Sequence, residues 1–246
     1  VEEHGSTKQN IVLNELGTFT KDEVKAKTAE LTAAQEGWGL EETYAKAAEN
    51  QQYLNSVGKT MERIVDVEYK SMPPSTKKGE ESVAGEKTHA SSDIKINGKY
   101  KGDASKMTDI VRGTFSVKHP DDVKTIVKQL GKRFKGVDEG FAANPTSYFD
   151  RKILLQFDNG QVGEIQIVTP ELLWFKEGAG GHAMYKASQD ILMEKNLETG
   201  EMEAIKGWEY IRMTMINSMT KGYAEGVGTE ADQAWFDTYV ETLRAQ

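Results

Sequence analysis

Cysteine is missing from this sequence of 246 residues. Its absence excludes disulfides, zinc sites built on thiolates and cysteine nucleophiles. Long apolar runs are missing too, because no stretch approaches the roughly 20 residues that cross a bilayer as a helix. We therefore expect no membrane partner, while the lack of cysteine by itself says little about the compartment.

Positive charge is the scarcer sign, with 31 Lys and Arg against 39 Asp and Glu and a net charge of -8. A protein that grips duplex nucleic acid through its phosphates usually carries a basic excess. The balance therefore weighs against nucleic acid as the main partner, although it leaves room for a local basic pocket that binds a nucleotide. Hydrophobic content of 37% and charged content of 28% are typical of a globular protein.

The first residue is Val1 rather than Met, which indicates a processed product or an excised fragment. Removal of a secretory signal and trimming of a domain both explain it, and the sequence does not separate them.

Residues 1–70 form an N-terminal helical region in this interpretation. Thr20 is followed three residues later by Glu23, the pattern of a capping box. The expected helices run over 21–35, 40–57 and, beyond the interruption at Gly58, 61–69.

Residues 71–92 lack periodicity, and Pro73-Pro74 would end the preceding helix, so this stretch is predicted to be a flexible linker or flap. A core over 93–195 and C-terminal helices over 196–246 that pack on it complete the organisation. We predict an α+β fold with a mixed central sheet of about five strands flanked by helices. The expected strands lie near 94–100, 108–117, 134–137, 152–157 and 162–168, with a loop at 140–145, and the expected helices lie near 120–130, 170–193, 203–220 and 231–245.

The strand predicted at Val162–Val168 carries Glu164 in its middle. Glutamate is depleted in strands and is rarely buried without a partner. Either this strand face is solvated or Glu164 acts in a cleft. The Asp158-Asn159-Gly160 turn signal makes the preceding strand its antiparallel neighbour.

Ionisable and aromatic side chains gather around that strand in the predicted order of elements. Carboxylates on neighbouring strands suit Mg²⁺, while Arg and Lys neutralise polyphosphate and a tyrosine stacks on a base. The pattern is thus typical of magnesium-assisted phosphoryl chemistry. The candidates are Asp109, Arg112, Tyr148, Asp150, Arg151, Lys152, Glu164, His182, Tyr185 and Lys186.

Four motifs in this order resemble the RelA/SpoT nucleotide pyrophosphokinase (alarmone synthetase) domain, in a divergent, toxin-type form. The resemblance covers roughly residues 93–195, and the combination of motifs is more specific than any one of them. The motifs are Asp109-Ile-Val-Arg-Gly-Thr, Tyr148-Phe-Asp-Arg-Lys, Glu164-Ile-Gln-Ile-Val-Thr and Gly181-His-Ala-Met-Tyr-Lys186.

The resemblance implies transfer of pyrophosphate from ATP to the 3′-hydroxyl of a purine nucleotide, with Mg²⁺ as cofactor. The choice among a guanosine nucleotide, an adenosine nucleotide and RNA stays open, and the acidic net charge makes RNA the least favoured of the three. Asp109 matches the magnesium-binding aspartate, and Glu164 matches the glutamate that contacts the metal and helps to activate the hydroxyl. Tyr148 matches the tyrosine that stacks on the acceptor base. The remaining substrate-binding candidates are Arg112, Arg151, Lys152, His182, Tyr185 and Lys186, of which His182 and Lys186 lie near the phosphates in the family.

The sequence also departs from the family. Val168 stands where the family usually keeps an arginine, and Lys152 where it often keeps a histidine. The ATP-binding lysine motif is not clear, and its candidates are Lys95, Lys99, Lys101 and Lys106.

A lone synthetase-like domain with such departures resembles secreted or toxin-type members of the family. A secreted or host-delivered protein with a neutralising antitoxin or immunity partner is therefore favoured over a resident cytoplasmic one. Two alternatives stay open: a catalytically degenerate nucleotide-binding or interaction module, associated with a phage or with secretion, and a different toxin chemistry such as ADP-ribosyl transfer.

Each candidate also has a simpler interpretation. Asp109 would then cap a turn, Arg112 would be a structural ion-pair partner, Tyr148 would be half-buried core and His182 a satisfied structural histidine. Glu164 would lie on a solvated strand face.

Overall fold

The structure is a computed structural model, and it describes residues 20–75, 87–143, 149–177, 193–195 and 202–204. The helices of these ranges are α1 (Lys21–Thr32), α2 (Leu40–Ile64), α3 (His89–Lys99), α4 (Pro120–Leu130) and α5 (Pro170–Glu177). The strands are β1 (Val67–Met72), β2 (Arg112–Val117), β3 (Lys135–Ala143), β4 (Phe149–Gln156), β5 (Val162–Val168), β6 (Met193–Lys195) and β7 (Met202–Ala204).

Five strands form one mixed sheet in the order β1-β2-β5-β4-β3. The central pair β2 and β5 is parallel, while the other pairs are antiparallel. The predicted α+β class with a mixed sheet of about five strands flanked by helices is therefore confirmed. The predicted hairpin is confirmed as well, because β4 and β5 pair antiparallel across Asp158-Asn159-Gly160.

The sheet has two chemically different faces, because successive side chains along a strand alternate between them. The core face is apolar and buried, and it carries Phe115, Val117, Ile153, Ile165 and Ile167. The polar face carries Arg112, Thr114, Lys152, Glu164 and Gln166, which the strand register places side by side.

Helix α2 packs on the core face at its β1 and β2 end. Gly58 lies inside α2, and a Cβ atom there would come within 2.3 Å of the Tyr69 ring. The glycine therefore leaves the space that Tyr69 fills as it packs at 5.2 Å, ring to ring, against Phe115. The sequence suggested that Gly58 interrupts the helix, but α2 continues through it to Ile64. Gly58 serves close packing and does not end the helix.

The N-terminal helical prediction is right for the first two helices and wrong for the third. Thr20 and Glu23 form the expected capping box. The predicted helix at 61–69 is wrong beyond Ile64, because Val67–Met72 is the edge strand β1. Tyr69 faces the core there, and pairing with β2 outweighs the weak helical periodicity.

The stretch predicted as a linker or flap at 71–92 begins in β1 and ends in α3, and its residues 76–86 lie outside the described part of the chain. The strand predicted near 94–100 is wrong, because these residues belong to helix α3, with Asn97-Gly98 inside it. Thr88 caps this helix by accepting a hydrogen bond from Ser91 N. A short alternating run is ambiguous between strand and helix, and here the cap decides it.

Strand β3 continues through the predicted loop at 140–145 as far as Ala143. A register shift between Asp138 and Gly140 bulges the strand, with Gly140 at φ 76°. Bulges allow such a strand to continue past a glycine.

At the C-terminal end, residues 193–195 and 202–204 pair as β6 and β7, so the helices predicted through 193 and from 203 are wrong at these positions. The rest of the predicted C-terminal helices lies outside the described residues. In the ranges that the structure describes, no helix combines the length and apolarity needed to cross a membrane.

Candidate functional site

The start of β5 is held in place by buried amide side chains. Gln35 donates to the carbonyl oxygens of Ser105 and Met107 and accepts from Val162 N at 2.6 Å. Gln161 accepts from Asn50 at 2.6 Å and donates to a carbonyl of α2. Because buried amides with satisfied partners are rigid, this network fixes the strand that carries Glu164 two residues later.

Glu164 lies on the polar face beside Arg112 of the parallel neighbour β2. Its side chain is buried, at 8% exposure. Its backbone N–H donates to the Val111 carbonyl at 2.9 Å, which locks the two strands at this point. The solvated strand face is therefore wrong as an interpretation of Glu164, since the residue is buried on the polar face of the sheet.

Two lysines meet on a single carboxylate oxygen of Asp109. Oδ2 of Asp109 lies 2.8 Å from Lys87 Nζ and 2.9 Å from Lys95 Nζ. Burial alone would raise the pKa of the Asp109 carboxyl, but the Lys95 and Lys87 ammonium groups outweigh it and hold the pKa well below its usual range. Asp109 is therefore an anion at any physiological pH.

The two lysines differ in how well their charge is supported. Burial would lower the pKa of Lys95, yet Asp109 and Tyr100 more than offset it and the pKa is raised. Burial lowers the pKa of Lys87, and the positive charges of Lys95 and Arg112 lower it further. The Asp109 carboxylate raises the pKa and offsets these effects only in part. Lys87, Lys95 and Arg112 thus lie close enough to repel one another, and the two lysines share the single Asp109 carboxylate.

A second group of side chains forms a chain of hydrogen bonds above β5. Lys176 Nζ of α5 donates to Gln166 Oε1 at 2.9 Å, and Gln166 Nε2 donates to Glu164 Oε1 at 2.8 Å. Burial is the main cause that lowers the pKa of Lys176 to about 8, while Asp150 and Glu164 oppose it.

Lys152 of β4 and Glu139 of β3 border the site on the side of β3, and both interact electrostatically with Glu164. Burial would lower the pKa of Lys152, but Asp150, Glu164 and Glu139 together raise it. Burial and the Glu164 charge raise the pKa of Glu139, which accepts a hydrogen bond from Thr28 of α1 at 3.3 Å. The polar face therefore carries closely spaced charges of both signs.

The structure brings several predicted site residues together on this face, namely Asp109, Arg112, Lys152 and Glu164. Arg151 points the other way: its Nη2 lies 2.6 Å from Asp138 Oδ2, and both side chains are buried on the core face. Tyr148, His182, Tyr185 and Lys186 lie outside the described residues, so their placement stays a prediction.

Among the four candidates for the ATP-binding lysine motif, only Lys95 reaches Asp109. Lys106 pairs with Asp103 at 3.1 Å, Lys99 lies over the Tyr100 ring, and Lys101 is an exposed turn residue.

Three residues of the site were missed by reasoning from sequence: Lys87, Glu139 and Lys176. Lys87 lies in the stretch predicted as a linker or flap, just before the Thr88 cap, so no periodicity marked it. Glu139 lies between the strand predicted near 134–137 and the loop predicted at 140–145, and no pattern in the sequence predicts the bulge there. Lys176 was one of many charges on a predicted helix, with no pattern to mark the face that meets the sheet.

Carboxylate oxygens are the ligands that Mg²⁺ prefers, so a metal in this site would need its acidic residues. Within the described ranges, no group of three or more His, Asp or Glu side chains is assembled as a metal site. Asp109 Oδ1 is buried and accepts no hydrogen bond, while its partner oxygen holds both lysines. That oxygen, together with Glu164, fits a hard cation that shares its ligands with a bound polyphosphate.

The fold and the site together define a class of protein in which one face of a mixed sheet presents carboxylates among lysines and an arginine, an arrangement suited to polyphosphate. No protein-family model matches the chain. A (p)ppApp synthetase toxin, Tas1 of Pseudomonas aeruginosa strain UCBPP-PA14, is 36% identical over 86 residues, which are 34% of this chain and 19% of that protein. The match thus spans about a fifth of the relative's length.

Several solved structures are similar at low sequence identity. The complex between the Type VI effector Tas1 and its immunity protein matches with a TM-score of 0.48 and 18% identity, over 76% of this chain and 96% of that one. Small alarmone synthetase 1 of Bacillus subtilis bound to its product pppGpp matches with a TM-score of 0.44 and 15% identity, over 81% and 94%. The similarity to Tas1 over those 86 residues confirms the resemblance to the RelA/SpoT-like synthetases that the sequence motifs indicated.

Proposed function

We propose that this chain transfers a pyrophosphoryl group from ATP to the 3′-hydroxyl of a purine nucleotide. The observation that carries the proposal is the polar face itself, where Glu164 lies next to Arg112 and within the field of Lys95, Lys152 and Lys176. Phosphoryl transfer needs positioning and charge stabilisation more than covalent help from the protein. A buried carboxylate surrounded by cations supplies both.

In this proposal the lysines and Glu164 have separate tasks. The acceptor's 3′ oxygen bonds to the β-phosphorus of ATP, the bond from that phosphorus to the α,β-bridging oxygen breaks, and AMP leaves. Glu164 accepts the hydroxyl proton. Lys87 and Lys95 stand over the buried Asp109, where they are held ready for phosphate oxygens.

Asp109 and Glu164 are the residues that would hold Mg²⁺. The ion would supply charge neutralisation on the polyphosphate. The free oxygen of Asp109 supports this assignment, since a buried carboxylate oxygen without a donor is costly unless a cation or a ligand uses it.

An adenosine nucleotide is the acceptor we favour over a guanosine nucleotide, because the curated relative is named a (p)ppApp synthetase toxin. The same name supports a toxin role. Secretion or delivery into another cell, and a neutralising immunity protein in the producing cell, are parts of the same proposal.

Mass spectrometry of nucleotides tests the proposal after incubation with ATP, Mg²⁺ and each of AMP, ADP, ATP, GDP and GTP. We expect AMP and a 3′-pyrophosphorylated nucleotide, and a loss of at least about 100-fold in Glu164→Gln, typical for removal of a general base. Glu68→Gln is the matched control, because Glu68 is exposed on β1.

Two results would overturn the proposal: no AMP with any acceptor, or an unchanged rate in Glu164→Gln. Nucleotide binding in calorimetry without AMP formation would instead favour the degenerate binding module. The buried Val168 on the polar face, where the family usually keeps an arginine, is the observation that keeps this second function in play.

A further inference from the structure

We propose that Lys176 is a positioning residue for Glu164, acting through the side-chain amide of Gln166. The proposal rests on the proposed function, in which Glu164 is the proton acceptor. It assigns a role to a helix residue that carries no motif.

The hydrogen-bond chain has a direction that chemistry fixes. An ammonium group only donates, so Lys176 can bind only the oxygen of the Gln166 amide. The amide NH₂ must then point to the other side, where it donates to Glu164. With the amide reversed, NH₂ would face the ammonium and oxygen would face the carboxylate, and both contacts would be lost.

This arrangement holds the Glu164 carboxylate in one orientation, in which it accepts a hydrogen bond from the Gln166 amide. Without Lys176 the Gln166 side chain loses its anchor at Oε1, and its NH₂ group is free to move away from the carboxylate. A carboxylate that must accept a proton in one direction loses rate when its orientation is not fixed.

Helix α5 is docked so that Lys176 reaches this position. The strand register places Lys70, Thr114 and Gln166 in one row across β1, β2 and β5. Consecutive residues of α5 meet the two ends of that row, because Lys176 contacts Gln166 and Glu177 pairs with Lys70.

The N-terminal end of α5 is fixed as well. Thr169 accepts a hydrogen bond from Leu172 N, and Leu172 is buried in the core. With both ends held, the helix delivers its lysine to a defined place. The next residue of β5 on this face is Val168, which is apolar, so β5 itself offers Gln166 no cation on that side. The cation that contacts Gln166 is Lys176 of α5.

Replacement of the two relay members provides the test. We expect Lys176→Met and Gln166→Met each to lower kcat by about 10- to 100-fold, the usual loss when a group that orients a site residue is removed. The KM for ATP should stay within about threefold of the original. Lys176→Arg, which keeps a cationic donor, should recover part of the rate, and the exposed Lys128→Met on α4 should leave it unchanged.

The double variant Lys176→Met with Gln166→Met sharpens the test. Because both residues act on Glu164 through one chain, the double variant should lose no more than either single variant. Additive losses would overturn the relay. A raised KM with normal kcat would also overturn it, since Lys176 would then hold substrate, and an equal loss of stability in Lys176→Met and Lys176→Arg would show a purely structural role.

One readout does not depend on turnover, and it separates failure of this inference from failure of the proposed function. The side-chain amide resonance of Gln166, identified by its loss in Gln166→Met, should show slow proton exchange in the unsubstituted protein. We expect faster exchange in Lys176→Met even if no nucleotide is turned over. Unchanged exchange would contradict the relay.

Discussion

The two faces of the sheet bury different kinds of side chain, although neighbouring residues of the same strands form them. Phe115 and Ile165 on the core face are fully buried among apolar side chains, whereas Thr114 and Gln166, one residue along each strand, lie on the polar face. The core face maximises burial of apolar area, which stabilises the fold. The polar face buries charge, which costs stability unless every charge is compensated.

Even the charged pairs differ between the faces. On the core face Arg151 and Asp138 compensate each other closely in a buried ion pair. On the polar face two lysines share one oxygen of Asp109, and Lys176 keeps a depressed pKa. Perturbed pKa values of this kind are common at sites that bind and transform ligands. If the core face stabilises the fold and the polar face serves the site, substitutions on the two faces should have different effects.

The largest effect should come from the core face. Phe115→Ala should lower the free energy of unfolding by about 3–5 kcal/mol, because it removes a fully buried ring that packs against Tyr69. Thr114→Val is the matched control on the polar face, where only the weak hydrogen bond to Met72 sulfur is lost. It should change the free energy by less than about 1.5 kcal/mol. Urea denaturation measures both, and equal losses would contradict the division.

Breaking the core-face ion pair should cost nearly as much. Arg151→Met removes the guanidinium that pairs with the buried Asp138 carboxylate, and the expected loss is about 3–5 kcal/mol. Asp138→Leu combined with Arg151→Met should recover part of this loss in a double-mutant cycle. Normal stability with a raised KM for ATP would instead support the substrate-binding role predicted for Arg151 from the sequence.

Gly58 offers a smaller test of close packing on the core face. Gly58→Ala places a Cβ against the Tyr69 ring, and we expect a loss of about 1–3 kcal/mol in thermal or urea unfolding. Gly98→Ala in α3 is its control, since no atom lies within 4 Å of the added Cβ. It should stabilise the protein by up to about 1 kcal/mol through helix propensity.

The smallest effect we expect is a dependence on acid at the polar face. The pKa of Asp109 is depressed in the folded protein, so as pH falls the unfolded chain takes up its proton first, near about 3.9. The stability that the charged Asp109 contributes is thus complete above that value and is lost below it. The difference in unfolding free energy between the unsubstituted protein and Asp109→Asn should be constant from pH 7 to 5 and should narrow below about pH 4. A difference that grows in acid would show that Asp109 is not the compensated anion described above.

Local patterns in the sequence predicted part of the fold and part of the site. The alternation in Val162–Val168, the turn before it and the capping box at Thr20 were read correctly, because each depends on residues only a few positions apart. The α3 helix and the β1 strand were read wrongly, because short segments with mixed periodicity take their structure from what they pack against. The bulge in β3 is of the same kind.

The sequence by itself determined the family resemblance and the position of Glu164 in the middle of a strand, because motifs and strand alternation are properties of short stretches. Only the tertiary structure showed that this strand is central in the sheet. Only the tertiary structure decided that Lys87 joins Lys95 on Asp109, that Arg151 turns away to Asp138, and that Lys176 reaches Gln166. These contacts depend on strand register and helix docking. A shift of one residue in register would have moved Arg151 or Gln166 to the other face of the sheet.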